Sequence, residues 1–184
     1  MMQSVDIAIV GGGMVGLALA AALKDSDLRV AVIEGKAPSE GLSELPDVRV
    51  SALSRSSEVI LRNLGAWQGI EQRRAAPYQA MEVWEQDSFA RIEFDSTRLA
   101  QPNLGHIVEN RVIQLALLDQ VKKQDNVSLY MPATCKTMAI GESEAWLTLD
   151  NGQALTAKLV VGADGANSWA VSYTHLTLPT TVFV

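Results

Sequence analysis

Four glycines follow a short apolar run near the amino terminus, and their spacing is that of a phosphate-binding loop. The four residues are Gly11, Gly12, Gly13 and Gly16. In the pattern Gly-x-Gly-x-x-Gly, the first glycine permits a tight turn, the second lets the backbone approach a pyrophosphate, and the third allows close packing. A helix that begins here, with Met14 and Val15, would offer unpaired N–H groups and a partial positive charge to a diphosphate. The spacing therefore predicts a dinucleotide site.

An acidic residue, Glu34, closes the next apolar run, Leu28–Ile33. In dinucleotide-binding units an acid at this point accepts hydrogen bonds from the adenosine ribose hydroxyls. A 2′-phosphate would be repelled by the carboxylate, so the position disfavours NADP as the bound dinucleotide.

The elements around these residues indicate an α/β fold. Val5–Val10, Met14–Lys24 and Leu28–Ile33 read as strand, helix and strand, which form a βαβ unit. Further helices are predicted at Ser54–Gly65 and Val112–Lys123. Further strands are predicted at Met81–Trp84, Phe89–Phe94, Val127–Met131 and Leu159–Val161, with a small antiparallel meander at Lys136–Ile140, Ala145–Leu149 and Ala154–Ala157. We expect a Rossmann-like domain with a central parallel sheet, this meander and a separate hairpin.

Composition excludes several classes of protein. The net charge of −6 argues against a nucleic-acid partner, which needs a basic surface. One cysteine and two histidines, His106 and His175, predict neither an internal disulfide nor a metal site, and we expect both histidines to be structural or surface residues. The uncharged run Ile7–Leu23 is too short and too glycine-rich for a transmembrane segment. We expect a cytoplasmic protein.

A second candidate segment, Leu159–Ser168, contains an apolar run followed by Asp164-Gly165 and then Ser168. This segment resembles the second fingerprint of the aromatic-hydroxylase flavin monooxygenases. The resemblance implies that FAD is the bound dinucleotide and that Asp164, Gly165 and Ser168 are cofactor residues. In that family the aspartate is also implicated in the use of NAD(P)H.

Two further segments are similar to the same family. Asp47–Leu53 resembles a loop whose arginine and serine, here Arg49 and Ser51, contact FAD. Glu109–Val112 resembles a segment whose polar residue, here Arg111, reaches the cofactor. A cation at the start of a helix is unfavourable unless an anion lies nearby, which fits a diphosphate.

Three further sets of residues narrow the resemblance to the ubiquinone-biosynthesis branch of these hydroxylases. They are Arg49–Leu53, Met81–Trp84 with Asp87–Phe89, and Gly105–Asn110. The resemblance implies an FAD-dependent, NAD(P)H-using monooxygenase that hydroxylates a polyprenylated phenol. It also implies a place in a ubiquinone-biosynthesis protein complex at the periphery of the inner membrane. Residues 1–170 are then an FAD-binding domain that includes partial substrate-domain strands at about 78–106.

The resemblance ends near Trp169. The family has an arginine where this chain has Val171, and its members are about twice as long. The residues from Val171 to Val184 contain no Asp, Glu, Lys or Arg. We therefore expect a truncated hydroxylase in which residues 171–184 are a non-native tail, and we expect weak FAD retention and no turnover from these residues alone.

Two alternatives remain open at this point. An NAD-linked Rossmann dehydrogenase would share the glycine loop, although the predicted meander and the Asp164-Gly165 fingerprint speak against it. A non-enzymatic module that binds protein partners would keep the fold without the chemistry. No catalytic residue is assigned from the sequence.

Overall fold

The computed structural model describes residues 2–37 and 41–173. The chain divides into two compact units. The first unit contains the described residues up to 37 and from 121 onwards, and the second contains residues 41–120.

The helices and strands follow in chain order. The strands are β1 (Gln3–Val10), β2 (Val30–Ile33), β3 (Val50–Ser54), β4 (Ala76–Tyr78), β5 (Ala80–Trp84), β6 (Arg91–Asp95), β7 (Gly105–Glu109), β8 (Val127–Tyr130), β9 (Cys135–Ile140), β10 (Ala145–Leu149) and β11 (Ala154–Gly162). The α-helices are α1 (Met14–Ala22), α2 (Arg55–Asn63), α3 (Trp67–Arg73) and α4 (Asn110–Val121). Short 3-10 helices lie at Ser96–Leu99 and Ala170–Tyr173. The three predicted α-helices are confirmed as α1, α2 and α4.

The first unit is built on one mixed sheet with the strand order β8–β2–β1–β11–β10–β9. The strands β8, β2, β1 and β11 are parallel to one another, and β10 and β9 continue the sheet antiparallel. The predicted parallel strands and antiparallel meander are both present, and the meander continues the parallel part of the sheet through β11. Two predicted strands, 154–157 and 159–161, form the single strand β11. The charged residue Lys158 interrupts the apolar sequence pattern between them. Within the folded strand its ammonium lies 2.8 Å from the Asp6 carboxylate on β1.

Burial of apolar side chains holds this unit together. All four residues of β2 are buried, as expected of a strand covered on both faces. On α1, Leu17, Ala20 and Ala21 are fully buried, and the small alanines let the helix pack closely. The buried core cluster comprises Val5, Ala8, Val10, Ala31, Ile33, Ala133, Ala145, Leu147, Leu149, Leu155 and Ala157. Each larger aliphatic side chain in such a core contributes about 1.5–3 kcal/mol.

Asp6 on β1 joins three neighbouring segments of the first unit. Besides Lys158 on β11, its carboxylate accepts a hydrogen bond from the Arg29 N–H at 2.9 Å, just before β2. The hydrogen bond from Lys158, followed by that from the Arg29 backbone, lowers the pKa of Asp6 to about 2. These contacts connect β1 to its two neighbouring strands, because Lys158 lies on β11 and Arg29 directly precedes β2.

The lowered pKa of Asp6 predicts a pH dependence of stability. Ionised Asp6 stabilises the fold fully above its ordinary pKa of 3.8, and this contribution is lost as the pH falls towards 2. We expect Asp6→Asn to be less stable than the wild type at neutral pH, and we expect the difference to shrink as the pH falls from 4 to 2. Urea unfolding followed by tryptophan fluorescence across this range checks it. A difference that stays constant down to pH 2 would contradict the prediction.

The second unit contains an antiparallel sheet with the strand order β3–β7–β4. The helix α2 begins directly after β3, and the hydroxyl of Ser54 accepts a hydrogen bond from the Ser57 N–H at 3.3 Å. Gly65 ends the helix with a φ of +77°, and its N–H donates to the Arg62 carbonyl oxygen at 2.9 Å. The predicted helix over Ser54–Gly65 is therefore present, with Ser54 as its capping residue and Gly65 directly after its last turn.

The predicted hairpin is present as β5 and β6, an antiparallel pair. The second strand begins two residues later than expected, because Phe89 and Ala90 belong to the turn. The residues on one face of this pair are apolar and exposed: Met81, Val83, Ile92 and Phe94.

His106 on β7 is a structural residue, as expected from the sequence. Its Nδ1 lies 2.5 Å from Oε1 of Glu58 on α2, whose side chain is almost fully buried. The other oxygen of Glu58 accepts a hydrogen bond from Arg55 at 3.0 Å, and the ring of Trp67 packs against the imidazole. His175 lies outside the described residues.

Candidate cofactor site

The carboxyl ends of β1, β2 and β11 meet at one edge of the mixed sheet. The N–H of Gly11, directly after β1, donates to the Ile33 carbonyl oxygen at 2.8 Å. On the other side, the N–H of Ala163 donates to the Val10 carbonyl oxygen at 2.7 Å. The chain leaves β1 towards β2 on one side and later returns to β11 on the other, so the strand order switches direction here. Ligands of open α/β sheets bind at such a point.

Gly11 and Gly16 occupy positions where a side chain does not fit. Gly11 has a φ of +115°, and a Cβ there would lie 2.2 Å from the Ala163 carbonyl oxygen. A Cβ on Gly16 would lie 2.0 Å from the carbonyl oxygen of Gly11 itself. The first glycine therefore makes the tight turn and the third allows the close approach of the helix to the turn, as their spacing predicts. Their contact with a cofactor stays a prediction.

Gly13 differs from these two glycines because the space beside it is open. A Cβ on Gly13 would meet no atom within 4 Å. Gly13 precedes α1, whose first residues are Met14 and the exposed Val15, and no side chain caps this helix. The first turn of α1 also holds no acidic residue that would neutralise the partial positive charge of the helix end. An anionic group can therefore approach the backbone at this point.

Glu34 is held in place by backbone groups. Its Oε2 accepts a hydrogen bond from the Gly12 N–H at 2.7 Å, and its Oε1 accepts one from the Lys36 N–H at 2.9 Å. Each carboxylate oxygen can accept a further hydrogen bond. The acid is thus oriented by the glycine loop, and both oxygens keep an acceptor position for ribose hydroxyls.

The Asp164 carboxylate organises the turn after β11. Its Oδ1 accepts a hydrogen bond from the Ser168 hydroxyl at 2.5 Å, and its Oδ2 accepts one from the Trp169 N–H at 2.7 Å. Partial burial raises the pKa of Asp164, but these hydrogen bonds outweigh it, so that the pKa lies below its ordinary value. Gly165 has a φ of +83°, which favours glycine at that position. The structure thus brings Asp164, Gly165 and Ser168 together in one turn.

The predicted residues of the second unit also lie together. The Ser51 hydroxyl donates to Oδ1 of Asn110 at 2.6 Å, and the Asn110 N–H donates to the Arg49 carbonyl oxygen at 3.0 Å. Arg111 follows as the second residue of α4. The Arg49 side chain is exposed to solvent.

Sequence reasoning missed the residues that hold this group together. Asn110 connects Ser51 to the backbone of Arg49, although it was predicted only as part of a motif and not as a site residue. Glu109 is buried, and its carboxylate accepts a hydrogen bond from the Asp47 N–H at 2.8 Å. A charged residue at the end of an apolar run, as at Val108-Glu109, is the signal that could have indicated it.

These features fit a dinucleotide with a diphosphate and a ribose. The uncapped end of α1 suits the diphosphate, the space at Gly13 admits it, and Glu34 suits the ribose. Within residues 2–37 and 41–173 no three His, Cys, Asp or Glu side chains form a group that could hold a metal ion. In the same residues no helix is long and apolar enough to span a membrane.

Comparison with known proteins gives matches over nearly the whole chain. Residues 4–182 match the model of a family described as FAD binding domain. The chain is 41% identical to the 3-demethoxyubiquinol 3-hydroxylase of Escherichia coli over 167 residues, which are 90% of this chain and 42% of the relative. It is 38% identical to the mitochondrial ubiquinone biosynthesis monooxygenase COQ6 of Danio rerio over 178 residues, which cover 89% of this chain and 37% of the relative. The chain thus spans about two fifths of the length of these relatives.

Solved structures share the fold. PqsL of P. aeruginosa, as a mutant, matches with a TM-score of 0.73 and 18% identity over 93% of this chain and 46% of its own. The p-nitrophenol 4-monooxygenase PnpA of Pseudomonas putida matches with a TM-score of 0.72 and 22% identity over 92% of this chain and 43% of its own. With the match to residues 4–182, the glycine loop and the mixed sheet identify this chain as a member of the FAD-binding domain family.

Proposed function

We propose that this chain is the FAD-binding part of a monooxygenase that hydroxylates the ring of a polyprenylated phenol in ubiquinone biosynthesis, with NAD(P)H as the reductant. The observation that carries the proposal is the open, uncapped glycine loop at the switch point of a sheet in an FAD-binding domain. The relatives at 41% and 38% identity are enzymes named for ubiquinone metabolism, which supports the pathway. Because the chain spans about two fifths of these relatives, we propose the activity for the whole protein.

Each predicted site residue has a role in this proposal. The N–H groups at the start of α1, with Gly11, Gly13, Met14, Val15 and Gly16, bind the diphosphate. Glu34 accepts hydrogen bonds from the ribose of the adenosine. The turn formed by Asp164, Gly165 and Ser168 contacts the diphosphate from β11. Arg49, Ser51 and Arg111 also contact FAD.

The chemistry is divided between the cofactor and the protein. When bound, FAD supplies the redox chemistry that uses NAD(P)H and O2 for ring hydroxylation. The residues of this chain bind and orient the cofactor, and we assign none of them a catalytic role. We propose that NAD(P)H acts as a transient reductant and is not the dinucleotide bound at the glycine loop. The negative charge of Glu34 disfavours a 2′-phosphate at that loop only, so it does not argue against NADPH as the reductant.

The substrate class follows from the branch that the chain resembles. Within that branch the chain resembles the bacterial 2-polyprenylphenol hydroxylases, and the relative with 41% identity is named a 3-demethoxyubiquinol 3-hydroxylase. Both names describe the hydroxylation of a phenolic ring. The apolar face of the hairpin β5–β6 supports an apolar substrate, because we place this hairpin in the substrate-binding part. We further propose association with other ubiquinone-biosynthesis proteins at the periphery of the inner membrane.

The proposal is tested on the whole protein loaded with FAD. NAD(P)H oxidation is measured with and without a polyprenylated phenol, and the product is analysed by mass spectrometry after reaction under ¹⁸O₂. We expect oxidation that depends on the phenol, and one ¹⁸O atom in the hydroxylated ring. NAD(P)H oxidation that is indifferent to the phenol, with no label in the ring, would contradict the proposal.

A further inference from the structure

A buried carboxylate, Glu109, connects the end of β7 to the loop before β3. Its side chain is only 6% exposed, and its Oε1 lies 2.9 Å from Nε of Arg74. Its Oε2 accepts a hydrogen bond from the Asp47 N–H at 2.8 Å. A buried carboxylate is costly unless it is paired, and these two partners offset the cost of burying the Glu109 side chain.

Arg74, which directly follows α3, uses all three guanidinium nitrogens. Nε pairs with Glu109, while the two terminal nitrogens donate to the carbonyl oxygens of Ser43 and Glu44 at 2.9 and 3.1 Å. The planar guanidinium presents its donors in a fixed geometry, which suits three acceptors at once. One side chain therefore connects two points of the loop to the buried carboxylate.

The same loop is fixed on both sides of Arg49. The Arg49 N–H donates to the Asp47 carboxylate at 3.0 Å, and the Arg49 carbonyl oxygen accepts from the Asn110 N–H at 3.0 Å. The backbone of Arg49 is thus held through Asp47, whose own N–H is held by Glu109. The Arg49 side chain extends into solvent and makes no hydrogen bond or ion pair with any other described residue.

We infer that Arg74 and Glu109 are positioning residues that hold the loop 43–49 in the conformation that presents Arg49 to FAD. The inference depends on the proposed function in one respect, which is the contact between Arg49 and the cofactor. Without the Arg74–Glu109 pair, FAD binding would have to order the loop, and the entropy cost of ordering lowers affinity.

A protease experiment tests the loop without FAD. Arg49 is the only trypsin site in residues 41–49, so mass spectrometry can follow cleavage of the Arg49–Val50 bond in the whole protein. We expect Arg74→Met and Glu109→Gln each to accelerate this cleavage about tenfold, because local opening of the loop becomes more frequent. The matched control is Arg73→Met, which removes an ion pair of 2.7 Å to Asp119 in the same unit. Unchanged cleavage in the first two variants, or equal acceleration in the control, would overturn the inference.

FAD titration of the same variants tests the link to the cofactor. We expect Arg74→Met and Glu109→Gln each to raise the dissociation constant of FAD about tenfold. Because the two residues act as one pair, we expect the dissociation constant of the double variant to be no higher than the higher of the two single-variant values. Arg73→Met keeps the wild-type affinity, although it loses an ion pair. If Arg49→Ala weakens FAD binding but Arg74→Met does not, the inference is overturned and the proposed function stands. If Arg49→Ala leaves FAD binding unchanged, the role that the proposed function gives to Arg49 is wrong, and the inference falls with it.

Discussion

Gly13→Ala is expected to weaken FAD binding about a hundredfold while the fold keeps nearly all of its stability. Gly13 has φ and ψ of −73° and −176°, which alanine adopts readily, and its Cβ would meet no protein atom within 4 Å. We propose that the diphosphate occupies this space. A methyl group there displaces the diphosphate from the N–H groups of α1, and losing two charge-assisted hydrogen bonds of about 1.5 kcal/mol each gives about a hundredfold.

The measurement is an FAD fluorescence titration of the whole protein, with thermal unfolding of the FAD-free form beside it. The matched control is Gly152→Ala, in the turn between β10 and β11, where the space is also open but φ is +83°. This control is expected to lose about 1 kcal/mol of stability and to bind FAD normally. Wild-type affinity in Gly13→Ala would show that no part of the cofactor lies against this glycine.

Gly16→Ala is expected to destabilise the first unit by about 3 kcal/mol. Its Cβ would lie 2.0 Å from the Gly11 carbonyl oxygen, which is backbone and not the end of a flexible side chain. Gly11 has no room to move away, because a Cβ in its own position would lie 2.2 Å from the carbonyl oxygen of Ala163. Relief of the clash therefore requires α1 to shift as a whole.

Urea unfolding of the FAD-free protein measures this loss directly. Val15→Ala is the control in the same helix, because the Val15 side chain is 69% exposed and its removal is expected to change stability by less than about 0.5 kcal/mol. Equal unfolding free energies for Gly16→Ala and the wild type would contradict the close packing at this turn.

Local signals explain what the sequence predicted correctly. The β1–α1–β2 unit follows from a β-branched run, a glycine loop and an Ala-rich helix, all within one short segment. The end of β2 at Ile33 and the position of Glu34 follow from the same pattern. The predicted helix Ser54–Gly65 likewise corresponds to α2, which begins after the capping residue Ser54 and ends before Gly65.

Long-range pairing explains what the sequence did not predict. Residues 50–53 were expected to belong to a loop and Ser54 to the following helix, yet all of them form β3, because they pair with β7 more than fifty residues later in the chain. The strands β4 and β7 and the helix α3 were also not predicted. Lys158 divided one strand into two in the sequence pattern, since its ion pair with Asp6 exists only in the folded sheet.

In the candidate site, too, local motifs were predicted and long-range contacts were not. The glycines, Glu34 and Asp164 belong to motifs that are recognisable in the sequence. The hydrogen bond from Gly12 to Glu34, and the contacts of Asp164 inside its own turn, depend on the folded chain. Arg74 carries no sequence signal, because its role depends on carbonyl oxygens about thirty residues earlier in the chain.

The most direct test is competition for the glycine loop. FAD bound to the whole protein is titrated with ADP and, separately, with adenosine, and the released flavin is followed by its fluorescence. We predict that ADP displaces FAD competitively in the wild type, because the loop and Glu34 bind the ADP half of the cofactor. We also predict that adenosine displaces FAD far less, because it lacks the diphosphate that the loop binds. Displacement by adenosine as effective as that by ADP, or FAD binding that ADP leaves unchanged, would contradict the assignment of this loop to the diphosphate of FAD.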